Sequence, residues 1–214
     1  MKNIAVLVSG GGTNLQALID AQKNLRLVNG NIRVVLSSKA GAYALTRAKD
    51  NGIETMVVSP DDYPDRKTYS AKLVECLKAY EIDLVVLAGF MYILDHEFIQ
   101  SYRNRIINVH PALIPSFCGE GYYGLRVHKA ALARGVKVTG ATVHFVDEVA
   151  DGGPIILQKA VKVKDDDTPE TLQKRVMQEA EWHILPAAVD LFCNDKIYVE
   201  DGCVRFRVEK SAEN

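Results

Sequence analysis

In segment 108–115 (NVHPALIP), an amide side chain, Asn108, and an imidazole, His110, stand two residues apart. The segment follows the apolar residues Ile106 and Ile107, so we expect the carboxyl end of a buried strand, where open α/β sheets bind ligands. Side chains at this spacing on a strand point to the same side. The amide can donate a hydrogen bond to a carbonyl oxygen while the imidazole gives or takes a proton. A turn-capping asparagine beside a packed histidine explains the segment equally well.

A carboxylate on a glycine-rich turn favours the chemical interpretation. Asp151 begins the sequence Asp-Gly-Gly-Pro at positions 151–154, after the apolar-rich segment 141–146, and so lies at the end of another predicted strand. A carboxylate there can approach a histidine closely and stabilise its cationic form. We therefore predict that Asn108, His110 and Asp151 form a catalytic group, in which Asp151 raises the pKa of His110.

Glycines cluster in residues 9–14, between the first predicted strand and the first predicted helix. Backbone N–H groups and the helix dipole can bind an anion there, and glycine permits its close approach. A dinucleotide fingerprint fails because Leu15 occupies the third glycine position and segment 37–39 has no acidic residue for a ribose. No lysine follows as a Walker loop requires. The pattern favours a compact monophosphate, with a purely structural tight turn as the alternative.

Composition indicates an ordinary globular protein. The chain has 214 residues, of which 48% are hydrophobic and 25% charged, and its formal net charge is −1. Without a long basic run, we expect neither a nucleic-acid partner nor a membrane partner. The four cysteines are far apart in sequence and form no C-x-x-C pair, which predicts reduced thiols and no metal site. The first residues enter a strand at once, so we expect no signal peptide and a soluble, cytoplasmic protein.

Strands and helices alternate through the first half of the chain. Strands are predicted at 4–8, 32–36, 53–58, 84–87 and 106–109. Helices are predicted at 14–21, 43–50, 66–80 and 95–102. Segment 84–87 is wholly apolar, as in the middle of a parallel sheet. The alternation predicts an α/β fold with a doubly wound, mostly parallel sheet.

The pattern changes after about residue 138. Predicted strands at 139–146 and 155–163, joined by the turn at 151–154, favour an antiparallel hairpin. Thr168 precedes Pro169 as a helix cap, and the helix is expected to run to about residue 192. A terminal hairpin or edge element is predicted at 197–208, and 211–214 as a frayed tail. We expect a single domain over 1–214, with a phosphate-binding half (about 1–105) and a catalytic half (about 106–210).

The motifs together resemble a known family. The pattern N-x-H-P-[SA]-L-[LI]-P at 108–115 and D-G-G-P at 151–154 resemble the folate-dependent formyltransferases. Segment 8–17 (VSGGGTNLQA) is similar to the phosphate loop of those members that act on phosphoribosylglycinamide. The resemblance spans about residues 2–200. It implies a Rossmann-like formyltransferase fold and transfer of a formyl group from the co-substrate 10-formyltetrahydrofolate to the amine of phosphoribosylglycinamide, in purine (IMP) biosynthesis, by a monomer or homodimer.

The resemblance also implies roles for individual residues. Those expected to hold the acceptor are Gly12, Thr13 and Asn14 at its phosphate, Gly89 at its glycine amide and Glu181 at its ribose. Glu179 is the alternative to Glu181. Those expected to hold the folate are Arg66, Met91, Tyr92, Ile93, Leu94 and Asn108. Tyr92 stands where an arginine is common in the family. Asn108 and a protonated His110 would stabilise the oxyanion, while Asp151 helps to relay the proton of the amine.

Three other functions remain open at this point. A formyltetrahydrofolate hydrolase would share Asn108, His110 and Asp151, but we expect it to carry a regulatory domain before the first strand. A tRNA-formylating enzyme would carry a basic C-terminal domain. A catalytically silent nucleotide-binding module would not need three polar residues at two strand ends. The glycine-rich and aromatic loop 117–123 is expected to act as a mobile lid, and packing or surface positions are expected for His128 and His144.

Overall fold

A seven-stranded sheet forms the centre of the molecule, whose computed structural model describes residues 1–207. The strand order is β3-β2-β1-β4-β5-β6-β7. The strands are β1 (Lys2–Val8), β2 (Gly30–Ser37), β3 (Glu54–Val57), β4 (Leu84–Leu87), β5 (Ile106–His110), β6 (Val138–Phe145) and β7 (Ile155–Lys162). The first five are parallel, whereas β6 and β7 are antiparallel to their neighbours. The predicted doubly wound, mostly parallel sheet with an antiparallel hairpin is confirmed.

Within residues 1–207, seven α-helices cover the two faces of the sheet. They are α1 (Thr13–Lys23), α2 (Tyr43–Asp50), α3 (Arg66–Ala79), α4 (His96–Ser101), α5 (Leu125–Arg134), α6 (Pro169–Val176) and α7 (Trp182–Cys193). A short 3₁₀ helix spans Pro60–Asp62, and a π-helical segment spans Met177–Glu181. Side chains cap several helix starts: Asp65 accepts from the Thr68 N–H, and Thr168 forms a capping box with Thr171.

Alternating side chains of each central strand enter two separate cores. In β1, Ile4 and Val6 pack with α1, α2, α6 and α7, whereas Ala5 and Leu7 pack with α3 and α4 on the opposite face. All four residues are fully buried, which explains why central strands read as continuous apolar runs. Because helices cover both faces of the sheet, loops and polar side chains meet at the carboxyl ends of its strands.

Two features of the second half differ from the predictions. The helix expected from Pro169 to about residue 192 is interrupted by the π-helical segment, one turn before Pro186. Proline removes an N–H donor and clashes with the carbonyl four residues earlier, so a regular helix does not run unperturbed into this position. Helix α5 was not predicted, because its start lacks a side-chain cap; its end at Gly135, with a φ of 74°, is an ordinary helix stop.

The terminal element is a separate two-stranded antiparallel sheet, β8 (Ile197–Glu200) and β9 (Cys203–Phe206). A terminal hairpin is therefore confirmed, although it ends before residue 208. Position 208 and the tail predicted at 211–214 lie outside the described residues.

Candidate active site

A cavity of about 990 Å³ opens at the carboxyl ends of β1, β4 and β5. The strand order reverses between β1 and β4, which is where doubly wound sheets bind ligands. Residues predicted from separate parts of the sequence line this one space. They are Gly12, Thr13, Asn14, Gly89, Met91, Tyr92, Ile93, Asn108, His110, Asp151 and Glu181.

The loop between β1 and α1 presents backbone donors to this cavity. The N–H groups of residues 11–15 donate to no acceptor within residues 1–207, although residues 10–14 line the cavity. Gly12 has a φ of 70°, and a Cβ added there would lie 2.6 Å from Cβ of Ala44, so only glycine fits the turn. A row of unpaired N–H groups at a helix start is suited to an anion.

Asn14 and Glu181 form a buried pair at the edge of this loop. The Asn14 Nδ2 donates to Glu181 Oε2 at 2.7 Å. Burial raises the pKa of Glu181 to about 7, although the hydrogen bond from Asn14 opposes this shift. Glu181 ends the π-helical segment and is only 6% exposed, whereas Glu179 is exposed. The structure therefore brings Glu181, and not the alternative Glu179, to the cavity.

Four side chains form the polar network at the end of β5. Asp151 Oδ2 lies 3.4 Å from His110 Nδ1, and Asp151 Oδ1 lies 3.6 Å from His144 Nε2. Asn108 Nδ2 lies 3.2 Å from the same His144 Nε2, since Asn108 and His144 are register partners of β5 and β6. The network thus connects the three predicted catalytic side chains.

The turn that carries Asp151 depends on the glycines after it. Asp151 has a φ of 56°, and a Cβ added to Gly153 would lie 1.9 Å from the carbonyl oxygen of Phe145. A side chain at position 153 would push this turn away from β6. The Asp-Gly-Gly-Pro sequence therefore lets the carboxylate approach two histidines.

The loop after β5 also forms hydrogen bonds with His110 and Asp151. His110 Nε2 lies 2.8 Å from the Phe117 carbonyl oxygen, so this nitrogen donates to it, and the Gly119 N–H donates to Asp151 Oδ2 at 2.9 Å. Burial, the largest influence, lowers the pKa of His110, while Asp151 and the Phe117 carbonyl raise it by less. Asp151 acts on the pKa of His110 in the predicted direction, although burial outweighs it. Both ring nitrogens of His110 face oxygen acceptors, and its cationic form stays a prediction.

The start of this loop is held by β6 and β7. Thr142 Oγ1 donates to the Ala112 carbonyl at 2.7 Å and accepts from the Ile114 N–H at 3.0 Å. Gln158 Nε2 donates to the Ile114 carbonyl at 3.0 Å. These bonds fix the backbone immediately after His110, which limits where its ring can point.

The segment after β4 lies beside the phosphate loop. Met91 N–H donates to Ser9 Oγ at 3.0 Å, and Ser9 Oγ lies 2.7 Å from Ser38 Oγ. Met91 and Ile93 are half exposed toward solvent, and the Tyr92 ring lies 5.9 Å from that of Tyr69. These apolar groups form one wall of the cavity.

Two predicted folate residues are absent from the cavity lining. Leu94 is 5% exposed and packs in the core with α3 and α4, so it supports the wall from behind. Arg66 is exposed at the first turn of α3 and also does not line the cavity.

The sequence interpretation missed the contacts of His144, one of two buried histidines near the site. His144 was expected to pack or lie at the surface, yet its Nε2 meets both Asn108 and Asp151. Its place opposite Asn108 follows from the pairing of β5 with β6, for which the sequence carries no local signal. His128 is fully buried beside the site with no hydrogen-bond partner in the described chain, and burial lowers its pKa to about 4, with His110 adding to the shift.

Within residues 1–207, no group of three histidine, cysteine, aspartate or glutamate residues is arranged to hold a metal ion. No helix in the same range has the length and apolar character needed to cross a membrane.

Comparison with known proteins places these features in a family. The formyl transferase family model matches residues 2–189. The phosphoribosylglycinamide formyltransferase of Escherichia coli K12 is 40% identical over 200 residues, which cover 94% of this chain and 91% of that protein. The trifunctional purine biosynthetic protein adenosine-3 of Drosophila melanogaster is 42% identical over 194 residues, which cover 90% of this chain but only 14% of that protein.

A solved structure agrees with the sequence relatives. Glycinamide ribonucleotide transformylase 1 from Symbiobacterium toebii superposes with a TM-score of 0.91 at 44% identity, covering 96% of this chain and 94% of that chain. The fold and the sequence matches therefore agree, and the chain belongs to the formyl transferase family.

Proposed function

We propose that this protein transfers the formyl group of 10-formyltetrahydrofolate to the primary amine of phosphoribosylglycinamide, as a step of purine biosynthesis. The observation that carries the proposal is a single cavity that contains both the unpaired loop N–H groups and the group of Asn108, His110 and Asp151. A phosphate held at one end of this space orients the amine toward the other end. The near end-to-end match to an enzyme named for this acceptor supports the same substrate.

The acceptor would bind along the phosphate loop. Backbone N–H groups of Gly12, Thr13 and Asn14 would donate to its phosphate, and Glu181, when ionised, would accept from its ribose hydroxyls. Gly89 has a φ of 71° and open space where a Cβ would be, so its backbone can approach the glycine amide.

The chemistry would use the network at the end of β5. The amine nitrogen attacks the formyl carbon, and the carbonyl oxygen becomes an oxyanion that accepts from Asn108 and His110. The amine loses a proton toward Asp151, through water, while the folate nitrogen N10 takes a proton as its bond to carbon breaks. The products are the N-formyl ribotide and tetrahydrofolate. The Nε2–H of His110, once released by the Phe117 carbonyl, would be the donor.

The folate would lie against the segment after β4. Met91, Tyr92 and Ile93 supply an apolar wall beside Asn108, and Leu94 supports it from the core. Arg66 would meet the carboxylate tail at the solvent-exposed end of the folate. The loop 117–123, whose Tyr122 and Tyr123 line the opposite side, would act as a lid that releases His110 when the donor binds.

A formyl-transfer assay with purified protein tests this proposal. We expect 10-formyltetrahydrofolate to be consumed with formation of formyl-ribotide, and inorganic phosphate to compete with the ribotide. The matched control is the dephosphorylated riboside, which should react far more slowly. Equal rates for riboside and ribotide would contradict the acceptor assignment. Release of formate with ribotide present would instead identify a hydrolase.

The chain would work as a single domain, as a monomer or homodimer. Its phosphate-binding half (about 1–105) and its folate-binding, catalytic half (about 106–210) would share one cavity. The hydrogen bond between Asn14 and Glu181 connects the two halves. Its four free cysteines fit a reducing compartment, which supports a cytoplasmic location.

A further inference from the structure

The phosphate loop is held from behind at three successive carbonyl groups. The Gly10 carbonyl accepts from the Ala44 N–H at 3.1 Å, at the start of α2. The Gly12 carbonyl accepts from the Gln16 N–H at 2.9 Å, within α1. Between them, the Gly11 carbonyl accepts from Arg47 Nε at 2.9 Å. The middle carbonyl is thus the only one of the three, in this part of the described chain, that a side chain holds.

These bonds determine where the N–H groups point. In a planar trans peptide, the carbonyl of one residue and the N–H of the next point in opposite directions. Holding the carbonyls of residues 10–12 on the helix side therefore directs the N–H groups of residues 11–13 toward the cavity. Without the bond from Arg47, the peptide between Gly11 and Gly12 could rotate, because two glycines impose little restriction.

Arg47 is itself held in place. Its Nη1 donates to Gln16 Oε1 at 3.1 Å, and its guanidinium lies 5.0 Å from the ring centroid of Tyr43. The side chain lines a second, smaller cavity of about 290 Å³ on the outer side of α1, and it does not line the large cavity. Arg47 therefore acts on the loop from the side opposite the ligand.

We infer that Arg47 is a positioning residue of the acceptor site: it orients the peptide between Gly11 and Gly12 so that the phosphate meets a row of converging N–H groups. The inference rests on the proposed function for the identity of the acceptor. Arg47 contributes direction through its two hydrogen bonds, and its charge alone does not replace them.

Steady-state kinetics with three variants test this inference. Arg47→Met should raise the KM for the ribotide roughly tenfold, with kcat and the KM for the folate changed less than about twofold. Arg47→Lys keeps the charge but lacks the planar fork, so it should recover only part of the loss. Arg26→Met is the matched control, because Arg26 lines the same small cavity but its side chain bonds to nothing within residues 1–207. It should leave all constants unchanged.

A second measurement does not depend on catalysis. The N–H groups of residues 11–15 should exchange rapidly in the free protein and become protected when inorganic phosphate is added. In Arg47→Met, the same protection should require roughly tenfold more phosphate. Gln16→Leu, which removes the support of Arg47, should show a smaller shift in the same direction if Arg47→Met fails to fold.

The outcomes separate the two proposals. Normal ribotide KM and normal phosphate protection in Arg47→Met would overturn the positioning role, and so would full recovery in Arg47→Lys. Absence of formyl transfer in the unsubstituted protein would overturn the proposed function instead, while the exchange measurement would still decide the role of Arg47.

Discussion

The two ends of the large cavity use different parts of the chain for recognition. At the loop between β1 and α1, the groups that face the cavity are backbone N–H groups, and the side chains nearby serve mainly to hold the loop. At the end of β5, the groups are four side chains within 3.6 Å of one another along the network: His110 and His144, which are buried, and Asn108 and Asp151, which are partly buried. We therefore expect the first end to tolerate side-chain changes that preserve the backbone, and the second to tolerate few.

The largest effect is expected at the end of β5, where side chains make the contacts. His110→Ala and Asp151→Asn should each lower turnover at least about a hundredfold, because each removes a group that acts on the reacting atoms. Asparagine keeps an oxygen that can accept from the Gly119 N–H, so Asp151→Asn should fold normally. Circular dichroism and thermal melting verify folding before the kinetics. The exposed histidine variant His183→Ala is the control and should retain full turnover.

The loop between β1 and α1, where backbone N–H groups make the contacts, can be tested by comparing two substitutions at one position. Thr13→Pro removes the N–H of the first residue of α1, where proline fits a helix, and should raise the ribotide KM at least about tenfold by deleting one charge-assisted hydrogen bond. Thr13→Ala keeps that N–H and should change the KM less than about twofold. Folate binding, measured by calorimetry, should be the same in both. A larger loss in Thr13→Ala than in Thr13→Pro would show that recognition depends on the hydroxyl group.

The loop between β1 and α1 was easier to predict from sequence than the side-chain network at the end of β5. Glycine between an apolar strand and a helix indicates an anion loop directly, because the contacts depend on main-chain geometry that glycine alone permits. The role of His144 depends on its register with Asn108, and register between strands about 35 residues apart is a tertiary property. The direction of the pKa shift of His110 could not be predicted because burial, which depends on the whole fold, outweighs its neighbour Asp151.

The elements were predictable in the first half of the chain and less so in the second. Strongly apolar strands and helices with a clear period, such as β4 and α3, were predicted close to their observed bounds. The π-helical segment at Met177–Glu181 changes the direction of side chains by one extra residue per turn, which periodicity does not reveal. It also brings Glu181 into the cavity, so the local irregularity coincides with a proposed site residue.

The Glu181 side chain bonds to Asn14, at the edge of the loop between β1 and α1. Its titration predicts how stability and ribotide binding depend on pH. Its pKa in the folded chain is about 7, above its ordinary value near 4.5, so the folded state holds its proton more tightly than the unfolded state. Its contribution therefore weakens folding as pH rises from about 4.5 to 7, by about 3 kcal/mol at most, and stays constant above 7. Below about pH 7 the Glu181 carboxyl is protonated and would accept less well from the ribose hydroxyls. The KM for the ribotide should therefore rise as the pH falls.

Glu181→Gln separates these consequences. The neutral amide can still accept from Asn14 Nδ2 and offers a donor beside the unpaired Asn14 Oδ1. The variant should lose less stability than the unsubstituted protein between pH 5 and pH 8, measured by thermal melting at both pH values. Its ribotide KM should be raised about fivefold at pH 8 and depend less on pH. Identical pH profiles for the two proteins would place the titrating group elsewhere.

The smallest expected effect belongs to Arg66, which lies outside the cavity lining at the exposed start of α3. An exposed ion pair contributes up to about 1 kcal/mol and weakens with salt, because solvent and counterions screen it. If Arg66 meets the carboxylate tail of the folate, Arg66→Ala should raise the folate KM no more than about fivefold at low salt, and the difference should vanish near 1 M salt. The ribotide KM should not change in either condition. Tyr92→Ala is the useful contrast, because Tyr92 lines the cavity and packs on Tyr69, so its effect should persist at high salt. An effect of Arg66→Ala that is larger than that of Tyr92→Ala, and insensitive to salt, would mean that α3 moves against the cavity when the folate binds.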